Sequence, residues 1–156
     1  MSWSTFIPDL IVTAVGASLT VGIAIVSYLL QLRRKNRQLV FNLADDLAVR
    51  RAFELITPME ATGDEPAAQY CFDSVHSAQK RISALRDEIS PNERLREALH
   101  EMVRYCADYK ESYEQTPELW QFRLMQLRGR LIGSLRKIER VMRIKDPLPT
   151  PGDFRP

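Results

Sequence analysis

Few side chains in this 156-residue chain are of the kinds that perform chemistry. His76 and His100 are its two histidines, and Cys71 and Cys106 its two cysteines. Neither histidine has a second His, Cys or carboxylate at a spacing that builds a metal site. His100 and Glu101 are sequence neighbours, so on a helix they point to different faces. Cys106 has no histidine at helical spacing to act as its base. Asp45 and Asp46 resemble a carboxylate pair for acid–base work, but Arg50 and Arg51 follow one turn later, and a solvated, salt-bridged surface is the expectation. No glycine-rich phosphate loop and no nucleophile elbow occur. The expected chain is not an enzyme: no catalytic residue, no metal, no cofactor and no small-molecule substrate.

The element that would position everything else is residues 10–30, LIVTAVGASLTVGIAIVSYLL, an uncharged run between Asp9 and Arg33. As a helix it is roughly 31 Å long, about the thickness of a hydrocarbon core. A helix also satisfies its own backbone in lipid. Four cations follow within five residues (Arg33, Arg34, Lys35, Arg37), whereas the stretch before the run holds no Lys or Arg. The positive-inside bias then predicts a cell-membrane (inner-membrane) protein with its N-terminus outside and its C-terminal domain in the cytoplasm. A cleaved signal peptide is disfavoured, since the basic leader, short apolar core and small-residue cleavage site are missing. Within the span, Ala14, Ser18 and Gly22 form one row of small residues and Gly16, Thr20 and Ala24 another, the spacing that lets membrane helices pack closely.

Beyond the span there is enough chain for one core-bearing domain. Nothing breaks a helix between Gly22 and Pro58, so the span is expected to continue to about Ile56, with Leu39, Leu43, Leu47, Phe53 and Ile56 turned inward. Residues 57–65, TPMEATGDE, read as a loop. A second helix, from about Pro66 to Ile89, has a seam at Cys71, Val75, Ala78, Ile82, Leu85 and Ile89, the 3.5-residue period also found in coiled coils. Ser90-Pro91-Asn92-Glu93 predicts a capping box with Ser90 as the cap. The third helix then carries Leu95, Leu99, Met102, Cys106, Tyr109 and Tyr113. Thr116-Pro117-Glu118 starts a fourth, reaching about Ile144, with Trp120, Leu124, Leu127, Leu131, Leu135, Ile138 and Met142 inward. Gly129 and Gly133 lie one turn apart in it and predict close packing by another helix, because each costs about 1 kcal/mol relative to Ala. In a reducing compartment both cysteines are expected as buried, unpaired thiols.

The fold class expected is all-α: a single N-terminal transmembrane helix continuing into a cytoplasmic antiparallel bundle of four helices, with three helices on a free stalk as the alternative. The expected domains are an extracytoplasmic residues 1–9, a span over 10–32, a bundle over 33–145 and a Pro-rich, disordered tail over 146–156. Up-and-down topology returns the end of the fourth helix to the membrane. Arg136, Lys137, Arg140, Arg143 and Lys145 would then join Arg33, Arg34, Lys35 and Arg37 against anionic lipid. The far tip is acidic, and Tyr109, Tyr113, Glu114, Glu118 and Trp120 form a candidate partner surface, the alternative being that the aromatics are core. Nucleic acid is disfavoured, since no aromatic residues interleave with the basic run.

Two functions of different class remain. One is a membrane-anchored, non-catalytic interaction module (accessory, scaffold or regulatory, of a bacterial membrane or of phage origin) that contacts another membrane protein or a second copy. The other is a self-assembling membrane effector of channel-like or phage lysis or exclusion type. The outline resembles the phage inner-membrane spanins, which also have one N-terminal span and a helical soluble part. Their soluble part faces away from the cytoplasm, opposite to the orientation that the cations after Leu32 predict.

Overall fold

The computed structural model describes residues 3–53, 65–89 and 92–152, and the side chains from Val15 onward within them. Four α-helices are present, α1 (Trp3–Val49), α2 (Glu65–Glu88), α3 (Glu93–Gln115) and α4 (Trp120–Met142), with 3-10 turns at Arg51–Phe53 and Pro117–Leu119. The fold is all-α, one long apolar N-terminal helix followed by helices that pack together. The chain divides into two compact units, Met1–Asn36 and Arg37–Pro156.

In the first unit α1 is unbroken, as the absence of Gly and Pro after Gly22 predicts. Every described side chain from residue 15 to residue 31 is exposed. α1 stops at Val49 instead of reaching Ile56, which lies outside the described residues together with the loop that follows it. Arg50 ends the helix: its Nε and Nη2 donate to Asp46 Oδ2 at 3.0 and 2.8 Å, and its Nη1 to the Ser74 carbonyl at 3.1 Å. Phe53 N–H then closes a tighter turn onto the Arg50 carbonyl, and the Phe53 ring is fully buried.

The second unit has one core. From α1 it takes Val40, Leu43, Ala44 and Leu47, so the C-terminal part of α1 is a member of the bundle and not a free stalk. From α2 come five of the six predicted seam residues, with Ile89 just beyond its end as the sixth, and from α3 Leu95, Leu99, Met102, Cys106 and Tyr109. α4 contributes Trp120, Leu124, Leu127, Leu131, Leu135 and Ile138, while Tyr113 and Met142 are half-buried at its margins. Antiparallel pairing is fixed by named contacts. Lys110 reaches back to His76 and Gln79 across α2–α3, and Glu101–Lys137 and Asp108–Arg130 pair in opposite order across α3–α4.

The helix ends differ from expectation in instructive ways. Asn92, not Ser90, caps α3; its Oδ1 accepts from Leu95 N–H at 3.3 Å, while Ser90 and Pro91 are outside the described residues. Asn is as good a cap as Ser, and its position decides which of the two is used. α4 ends at Arg143, which adopts a left-handed conformation (φ 52°) so that its N–H and that of Ile144 return to the carbonyls of Arg140 and Glu139.

The chain after α4 is extended, but up to Gly152 it is not the disordered tail expected for residues 146–156. Leu148 and Pro151 are buried, Leu148 N–H donates to Glu139 Oε1 at 2.6 Å, and Arg128 Nε donates to the Pro151 carbonyl at 2.7 Å. Gly152 (φ 84°) lies against the Phe53 carbonyl, where a Cβ has no room. Residues 146–152 thus form a strap that runs back along the bundle to the end of α1. Proline deprives a segment of donors, yet this strap has no need of helix or sheet: two side chains, Glu139 and Arg128, meet its backbone instead. Residues 153–156 lie outside the described residues.

Candidate functional surfaces

The span is an array of apolar side chains with nothing of the chain upon them. Val15–Val49 contains a window of mean hydropathy 1.8, none of it buried, so α1 is long and apolar enough to cross a membrane. Leu19, Val21, Ile23, Ile25, Val26, Leu29 and Leu30 are all more than half exposed. In a soluble protein these side chains would stand in water, and lipid or another protein relieves that cost. Along the small-residue rows, Gly16 and Gly22 have no atom near the position of a Cβ, and Thr20 Oγ1 donates to the Gly16 carbonyl at 2.9 Å. Ser18 and Ala24 are also exposed. The Ala14 side chain lies outside the described residues.

The predicted lipid-facing cations fall into two groups. Arg33, Arg34, Lys35, Arg136, Arg140, Arg143 and Lys145 are exposed. Arg140 Nε also donates to the Arg136 carbonyl at 3.3 Å. Two others pair with carboxylates. Lys137 Nζ donates to Glu101 Oε1 at 3.0 Å, a hydrogen bond that raises its pKa, and Arg37 lies 3.7 Å from Asp146 and over the Phe41 ring. The Arg37–Asp146 pair also shows that the chain leaving α4 returns to the end of the second unit where that unit begins.

The tip is corrected in part. Tyr109 and Trp120, assigned to a partner surface, are core residues at 3% and 7% exposure. Burial raises the Tyr109 phenol above its ordinary range. Tyr113 is half-buried and packs on Phe72, with ring centroids 5.1 Å apart. Glu114 and Glu118 are exposed and stay available. Of the tip's other acids, Glu60 and Asp64 lie outside the described residues.

Gly129 and Gly133 have no close neighbour among the described residues of the chain. Both are exposed, and a Cβ at either would meet nothing within 4 Å. Helix packing within the chain is not what keeps them. Beside them stand Leu119, Phe122 and Met125, 48%, 57% and 53% exposed. The signal was present, since the inward seam of α4 omits all five positions.

Of the residue types able to do chemistry, the two cysteines are core residues, His76 bridges two helices and His100 is exposed. Both thiols are buried and free, and burial pushes Cys106 up to about 12 and raises Cys71. Lys110 Nζ lies 3.1 Å from His76 Nδ1 and 3.0 Å from Gln79 Oε1, which occupies that ring nitrogen as an acceptor. His100 lies in an open groove between α2 and α3 with Arg86, Glu93, Arg96 and Glu97. Asp46 is held by Arg50. Among the described residues no three of His, Cys, Asp and Glu converge as metal ligands. Compared with known proteins, the chain matches no family model, no curated protein and no solved structure.

Proposed function

We propose that the protein is a single-pass, membrane-anchored interaction module whose helical bundle works on the cytoplasmic face of a cell membrane by contacting other proteins. The observation that carries this reading is the uncovered apolar surface of residues 15–30, followed at once by exposed Arg33, Arg34 and Lys35. The span supplies the anchor, and the cations set the orientation and hold the anionic leaflet at about 1 kcal/mol each. The bundle supplies a rigid body with exposed Glu114 and Glu118 at one end and an exposed apolar and basic face on α4.

Labelling with a membrane-impermeant maleimide tests the topology. A Ser4→Cys variant is expected to react in intact cells, and a Lys145→Cys variant only after permeabilisation; the native thiols are buried in the fold. The reverse pattern would invert the orientation. Release of the protein by alkaline carbonate without detergent would remove the anchor.

Self-association through the span is a second reading, that of the self-assembling effector, favoured by the open rows at Gly16 and Gly22. Its test is Gly22→Ile, which should dissociate an oligomer in mild detergent if that row is the contact.

A further inference from the structure

We infer that the outward face of α4 is the docking surface for an acidic amphipathic helix of a partner protein. This inference rests on the proposed anchored interaction module and names its contact. Phe122, Gln126, Gly129, Gly133, Arg136 and Arg140 recur at steps of three and four, so they line one face of the helix, directly away from the core seam. Leu119 and Met125 flank the upper part of this face. Large apolar side chains thus stand in solvent at one end, and bare backbone at the two glycines forms a notch in the middle.

The glycines weaken α4 and gain nothing from their own chain, because nothing lies within 4 Å of a Cβ at either. A helix crossing from outside gives them a use, since it can approach the backbone closely only where side chains are missing.

Charge identifies the occupant. α4 carries Arg123, Arg128, Arg130, Arg136, Lys137 and Arg140 against one acid, Glu139. Glu139 accepts the Leu148 N–H, Arg128 donates to the strap, Lys137 pairs with Glu101, and Arg130 lies near Asp108. Arg123 lies off this face, in the pocket against α3 with Tyr105 and Asp108. Arg136 and Arg140, which lie on it, have no carboxylate partner among the described residues; Arg140 Nε donates only to the Arg136 carbonyl, at 3.3 Å. The complement is a helix with Leu, Ala or Ser along its centre and Glu or Asp at three- and four-residue intervals beside them.

A second copy fits less well. Docked in parallel, it sets Arg136 and Arg140 against themselves. Docked antiparallel, Arg140 meets Phe122 and Arg136 meets Gln126, and neither cation gains a carboxylate.

The test uses the full chain in its membrane, with Gln126→benzoylphenylalanine as a photoreactive probe and the cross-linked segment mapped by mass spectrometry. The expected product joins position 126 to one acidic helical segment of another protein. Arg136→Glu with Arg140→Glu should reduce it at least tenfold, and so should Gly133→Leu, while the thermal midpoint of each variant stays level or rises. Cross-linking to a second copy, to lipid or to a segment without acids overturns the inference, as does the absence of any product. The same probe at Glu114 separates the two levels of argument. Products from Glu114 alone refute the α4 site and keep the interaction module; products from neither position refute both.

Discussion

Replacing Gly129 and Gly133 together by Ala should stabilise the bundle, although both glycines sit in the middle of its fourth helix. Alanine is favoured over glycine by about 0.8–1.0 kcal/mol per position in a helix interior, because glycine loses more backbone freedom on folding. That gain survives only where the added methyl has room, and here nothing stands within 4 Å of either site. The two methyls lie on an exposed face, and the two backbone gains together come to about 2 kcal/mol. For a unit of this size, the midpoint should rise by roughly 8 °C. The assay is thermal unfolding of the full chain in detergent micelles, followed by near-ultraviolet circular dichroism, with Leu131→Ala as the opposing control. Leu131 is fully buried on the same helix, and its truncation should cost about 2–5 kcal/mol. A lowered midpoint for the double alanine variant would mean that some part of the chain packs on the glycines, and the free face of α4 would no longer stand.

Gly152→Ala should detach the strap, because its φ of 84° disfavours a side chain and the new methyl would meet the Phe53 carbonyl and the Arg128 guanidinium; proteolysis should then begin near residues 146–152, and an unchanged cleavage pattern would refute the packing. Arg143→Gly should stabilise by about 0.5–1 kcal/mol in a denaturant titration, since glycine adopts the left-handed end of α4 without strain. Cys106 supplies a pH dependence. Burial pushes its folded pKa up to about 12, above the 9.0 of a solvated thiol, so the native state retains a proton that the unfolded chain releases. Its contribution is therefore complete below pH 9 and declines as the pH rises from 9 toward 12. The buried Tyr109 phenol declines in the same direction at higher pH. Cys106→Ala should flatten the fall in stability above pH 9, and equal slopes for the two proteins would refute a desolvated thiol.

Much of the fold was legible because periodicity reports burial directly. The seams from Cys71 to Ile89 and from Leu95 to Tyr109 needed no knowledge of neighbours, since a 3.5-residue spacing has one inward face wherever the helix sits. The exact ends were harder. Ser90 and Asn92 are equivalent as caps, and only the backbone path selects Asn92. The strap was illegible for a different reason: DPLPTPG has no periodicity, and its order comes from Arg128 and Glu139, 23 and 9 residues away in sequence. Local reading registers the lack of helix and sheet, but not a distant guanidinium aimed at a carbonyl. Trp120 and Tyr109 were drawn to the surface by the acids around them, although both also fall on the inward seam. At both positions the seam, not the neighbouring charge, decides burial.

Gly129 and Gly133 carry a functional clue. Two mid-helix glycines imply a close neighbour, and among the described residues of the chain that neighbour does not exist. The energetic reasoning is unchanged by its absence: the positions still weaken α4 by roughly 2 kcal/mol compared with alanine, a sizeable share of a typical domain's stability. Glycines placed at random on a solvated face would have no reason to adjoin exposed Phe122 and Met125 above and unpaired Arg136 and Arg140 below. Their shared orientation, opposite the Leu124–Leu127–Leu131 seam, gives one helix two working faces. The inner face closes the bundle through leucine packing. The outer combines an apolar patch, open backbone and positive charge, three properties that are costly or idle in water and favourable together only against an acidic helix.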